Sequence, residues 1–109
     1  MDPRVLIIET HVEFALRIII VPYEPNYCYP GKHPAYHGAA SVAMVNLAKR
    51  KGYRLVCTNH YGFNFIFVRN NEAEKRLPEI SVEQALQQPC VAESAWKFDQ
   101  IKDWHHVEG

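Results

Sequence analysis

The stretch Tyr53-Arg54-Leu55-Val56-Cys57-Thr58, Asn59-His60-Tyr61-Gly62, Phe63-Asn64-Phe65-Ile66-Phe67-Val68-Arg69 decides the fold. Its first block is β-branched and apolar enough for a strand. The second carries the Asn and Gly of a tight turn, and the third alternates Phe63, Phe65 and Phe67 on one face. Two strands joined this closely must be antiparallel. Upstream, residues 39–51 are patterned as a helix, with Ala40, Ala43, Met44, Leu47 and Ala48 on one stripe. Lys49, Arg50 and Lys51 suit the negative end of the helix dipole, and Gly52 stands where a left-handed cap belongs.

Further upstream, Arg4-Val5-Leu6-Ile7-Ile8-Glu9 is a continuous apolar run closed by a carboxylate, as in a strand buried on both faces. Residues 15–21 read as an irregular edge strand ended by Pro22. Pro22, Pro25, Pro30 and Pro34 then break any regular element up to Gly38, and a loop of that length in a small domain is usually functional. Downstream, Ser81 and Gln84 form a capping-box pattern for a short helix that Pro89 stops. Phe98, Ile101 and Trp104 mark one more short amphipathic segment. The expected order is strand, long loop, helix, strand, turn, strand and tail: residues 1–71 form an α/β body and 72–109 a peripheral helical tail. The expected sheet joins residues 5–9, 53–58 and 63–69.

Composition narrows the function classes. The 109 residues carry 12 basic and 12 acidic side chains, so neither nucleic acid nor an acidic membrane is an expected partner. The balance conceals an asymmetry: residues 1–71 hold 8 basic and 4 acidic side chains, and residues 72–109 hold 4 and 8. No apolar stretch approaches the ~20 residues of a membrane span, and the first residues do not resemble a signal peptide. Cys28, Cys57 and Cys90 show no C-x-x-C spacing, which argues against a disulfide framework or zinc ribbon and for a reducing, cytoplasmic setting. Cys57 is expected inside its strand, buried.

Several segments together resemble the FkbM-type methyltransferases. Pro3-Arg4-Val5-Leu6-Ile7-Ile8-Glu9-Thr10-His11 is similar to their late I-E-x-H strand end. Val21-Pro22-Tyr23-Glu24-Pro25-Asn26, Tyr36-His37-Gly38-Ala39-Ala40-Ser41 and Lys51-Gly52-Tyr53-Arg54-Leu55-Val56 follow in family order, as do Asn59, Gly62, Asn64 and Phe67-Val68-Arg69. The resemblance covers residues 3–71 and implies the C-terminal half of a class I, Rossmann-like fold: its fifth, sixth and seventh strands, the last antiparallel and inserted near the sheet edge. Full-length relatives bind S-adenosylmethionine through a glycine-rich turn and a later acidic residue. No G-x-G occurs here and four further strands do not fit before Val5, so the isolated chain is expected to hold no cofactor.

The site residues follow from that frame. Glu9 and His11 end the first strand, where open α/β sheets place their ligands, and are the catalytic candidates, His11 as a general base. A purely structural role, Glu9 serving loop donors and His11 merely polar, fits the residues as well. Tyr23, Tyr36, His37, Asn59 and Asn64 are the substrate-binding candidates: aromatic rings with polar tips suit pocket walls, although loop packing and turn formation account for the same residues. His33 and His37 are four apart, but Pro34 between them and the lack of a third ligand argue against a metal. The expected partners are a missing N-terminal half or a second copy, paired along the edge Val5-Leu6-Ile7-Ile8. The competing class is a non-catalytic α/β interaction module.

Overall fold

The computed structural model describes residues 3–29, 31–33, 36–87, 89, 91 and 96–108; the reading of Pro30, Pro34 and Cys90 therefore lies outside the described residues. The elements are β1 (Val5–Glu9), a 3-10 turn (Val12–Phe14), β2 (Ile19–Ile20), α1 (Ser41–Arg50), β3 (Tyr53–Thr58), β4 (Asn64–Arg69), the short helices α2 (Val82–Ala85) and α3 (Trp96–Asp99), and β5 (Val107–Glu108). Together they make a small α+β fold with two antiparallel sheets, one of three strands in the order β1-β4-β3 and one pairing β2 with β5. Among the described residues no Rossmann-like parallel sheet is formed. The three expected segments do share one sheet. β1 and β3 run in the same direction, but β4 lies between them and pairs antiparallel with both.

The hairpin forms as its sequence dictates. Asn59 Oδ1 accepts the N–H groups of Gly62 (2.9 Å) and Asn64 (3.1 Å), and Gly62 adopts the φ of 85° that closes the turn. Phe65 and Phe67 then sit fully buried with Leu55, while Phe63, one residue before β4, is 38% exposed. Cys57 departs from the expectation and is exposed. The cause is a β-bulge between Leu55 and Cys57, which puts Cys57 opposite Ile66 and turns its side chain away from the core.

The helix starts two residues later than its apolar pattern, because Ala39 and Ala40 are held in bridges to Ile20 and His11. Its buried face also differs: Ser41, Ala43, Val45 and Ala48 pack inward while Leu47 is 38% exposed. Small residues let α1 lie close on the sheet, and Ser41 is held inward by a 2.8 Å hydroxyl pair with Thr10 at the end of β1.

Among the described residues two clusters fill the interior. One joins Val12, Val45, Tyr53, Leu55, Phe65 and Phe67 to Ala85 and Val91, and the other joins Phe14, Ala40 and Ala43 to Phe98 and Ile101. The segment after Asn71 is thus built into both clusters. Its first helix is opened by the expected capping box, Gln84 N–H on Ser81 Oγ at 3.1 Å and Ser81 N–H on Gln84 Oε1 at 2.9 Å. Arg54, buried on the opposite sheet face, donates to the carbonyls of Leu77, Arg69 and Glu72 and binds the 69–77 loop over that face. Val5 (52% exposed) and Ile7 (67%) on the same face stay uncovered. No described helix is long and apolar enough to cross a membrane.

Candidate functional site

β1 delivers Glu9, Thr10 and His11 in succession at its carboxyl end, and the 3-10 turn at Val12–Phe14 folds Glu13 back onto His11. His11 Nε2 lies 2.9 Å from Glu13 Oε2, the two side chains being only 9% and 16% exposed. The other ring nitrogen, Nδ1, bonds to the carbonyl of His37. Each nitrogen of the imidazole therefore faces an oxygen acceptor, and neither is open to a proton from a substrate. Burial pushes the Glu13 carboxyl up, but the hydrogen bond and charge of His11, with a smaller contribution from Lys97, outweigh it and hold the group below the usual glutamate value.

His37 is positioned by Gly38, whose φ of 77° turns the chain there; a side chain at 38 would be strained and would stand 3.7 Å from His11 Nδ1. The His37 ring packs on His11 (centroids 4.4 Å) and between Tyr27 (6.0 Å) and Tyr29 (5.8 Å). It stands between two depressions. A half-open cleft of about 690 Å³ lies over the end of β1 and is lined by Glu9, His11, Glu13, Tyr61, Trp96 and Lys97 among others. A larger groove of about 1130 Å³ is lined by residues of the proline-rich segment, Tyr23, Glu24, Tyr27 and Tyr36 among them, and by Met44. Glu9 and His37 border both.

The expected site residues divide accordingly. Glu9, His11 and His37 come together. Tyr23 and Tyr36 share the groove with Glu9 and His37, but differ from each other: Tyr23 is 88% exposed, while Tyr36 donates its hydroxyl to the His105 carbonyl and sets its ring on Trp104 at 4.7 Å. Asn59 spends its side-chain oxygen on the turn, and Asn64 pairs across the sheet with Glu9; neither borders either depression.

Sequence reasoning missed Glu13 and the contributions of Trp96, Lys97 and Gln100. The pattern His11-Val12-Glu13 carried a signal, since a single 3-10 turn suffices to bring its two polar ends together. The tail residues carried none. Gln100 meets His33 through Oε1 and Nε2 at 2.6 Å, and among the described residues no group of three His, Cys, Asp or Glu side chains is arranged to hold a metal ion. No family model matches the chain, and neither the curated proteins nor the solved structures give a match.

Proposed function

We propose that the chain is the later half of an FkbM-type, S-adenosylmethionine-dependent methyltransferase fold and transfers no methyl group by itself. The observation that carries this reading is the strand order β1-β4-β3: two strands in one direction, helix α1 between them in sequence, and the last strand antiparallel and inserted. That is the arrangement the resemblance implies for the fifth, sixth and seventh strands. The cofactor does not fit the residues present, because the chain has neither the glycine-rich turn nor its partner carboxylate. What remains is the acceptor side: the tyrosine-lined groove holds the hydroxyl-bearing acceptor, and Glu9 at its rim orients it. Exposed Cys28 and Cys57, both free thiols, suit a cytoplasmic setting.

A non-catalytic interaction module is the second reading, and one observation favours it: both nitrogens of His11 are engaged. Complementation separates the two. The chain is mixed with the separately produced cofactor-binding half of an FkbM-type methyltransferase, ending after its fourth strand. A one-to-one complex that slows amide exchange at Val5, Ile7 and Glu9 supports the methyltransferase reading. No complex at any ratio argues for the module.

A further inference from the structure

The hydrogen-bond parity of β1 fixes what its free edge offers. Thr10 N–H donates to the Phe63 carbonyl and Arg69 N–H to the Arg4 carbonyl, each at 2.8 Å, so the even-numbered residues of β1 face β4. Val5, Ile7 and Glu9 therefore point their N–H and C=O groups outward, and among the described residues no strand pairs with them. The edge is bounded at both ends. Pro3 has no N–H to give, and beyond Glu9 the same side is closed where His11 N–H donates to the Ala39 carbonyl at 2.9 Å.

We infer that the isolated chain closes this edge with a second copy of itself, β1 against β1 in antiparallel register about a two-fold axis at Ile7. The outward set, Val5, Ile7 and Glu9, is symmetric about its middle member. Centring the axis there pairs Ile7 with Ile7 of the other copy and each Val5 with the other Glu9, and all outward backbone groups are satisfied. Centring it on Val5 or Glu9 leaves groups unpaired. Charge agrees with the same register. Glu9 is the one ionisable side chain of the strand, and the two copies of it fall at opposite ends of the ribbon. They stand about 14 Å apart at ~3.4 Å per residue, beyond the ~8 Å screening length at physiological salt. The Ile7 side chains, 67% exposed in the monomer, become cross-strand neighbours. The inference uses the edge that the methyltransferase reading also leaves open, but requires no cofactor or methyl transfer, so either can fail without the other.

The test is sedimentation of the full chain between about 10 μM and 1 mM, the range a short strand pairing occupies. The wild type should pass from monomer to dimer and stop there. Ile7→Lys places two cations on the axis and should raise the dissociation constant at least about tenfold; its melting curve confirms that it folds. In a chain with its native cysteines replaced by serine, Ile7→Cys should cross-link rapidly under mild oxidation, since hydrogen-bonded antiparallel partners hold their Cα atoms about 5.5 Å apart. Val5→Cys, facing Glu9, should not. A monomer at 1 mM, growth beyond the dimer, or equal cross-linking at positions 5 and 7 would overturn the inference.

Discussion

Glu13 grips His11 from two residues away, its Oε2 2.9 Å from the imidazole Nε2, while the opposite ring nitrogen holds the His37 carbonyl. This pair ties three pieces of chain together: the end of β1, the turn after it, and the last residues of the proline-rich loop. A histidine at a strand end that looks catalytic in sequence is, in the folded chain, the centre of a clasp. To accept a proton the ring would first have to release either Glu13 or the His37 carbonyl.

Glu13→Ala should therefore destabilise the fold by about 1–3 kcal/mol, because it leaves a buried polar ring without its charged partner. The effect should depend on pH with a definite sign. The Glu13 carboxyl is held below its ordinary value, so its stabilisation is present above the ordinary glutamate range and is lost as pH falls through that range and the lower native value. Thermal melts of wild type and Glu13→Gln should converge in acid; curves that stay parallel down to the lowest pH would contradict the clasp.

The Thr10–Ser41 hydroxyl pair joins β1 to the start of α1, with both side chains buried. Ser41→Ala strands the Thr10 hydroxyl and should cost about 1–3 kcal/mol, whereas Ser41→Ala combined with Thr10→Val should cost less than the sum of the single changes. Urea unfolding of the four proteins measures this coupling.

Asn59→Ala removes the acceptor that gathers the N–H groups of Gly62 and Asn64 and should lower stability by about 1 kcal/mol. It should leave binding in either depression unchanged, since Asn59 borders neither. A small-molecule screen followed by chemical-shift mapping would show whether the turn takes part.

Leu6 and Ile7, adjacent in sequence, should respond in opposite ways to lysine. Leu6 packs against the core with Ile8, and Leu6→Lys should destabilise by about 1–3 kcal/mol. Ile7 is 67% exposed, and Ile7→Lys should leave the melting temperature nearly unchanged.

The sequence made the central sheet legible because its strands are punctuated by strong local signals: the Asn59–Gly62 turn, the basic helix end before Gly52, and the carboxylate closing β1. It concealed the details set by tertiary contact. The bulge that exposes Cys57 is invisible in a run of β-formers, and α1 turns Ser41 inward and Leu47 outward because Thr10 offers a buried partner that no helical periodicity shows. Residues lining the candidate cleft were legible where they end a strand, as Glu9 and His11 do. They were unreadable where residues far along the chain, such as Trp96 and Lys97, fold back over that strand end.

The proposed methyltransferase reading assigns the residues present to the acceptor side of the fold and places no cofactor site among them. Titration calorimetry with S-adenosylmethionine tests it most directly, first on the chain alone and then on its mixture with the cofactor-binding half. The chain alone should show no binding tighter than roughly 100 μM, about −5.5 kcal/mol, and in the mixture the chain should strengthen binding over the partner half alone. Tighter binding by the isolated chain, or a partner half whose affinity the chain leaves unchanged, would contradict it.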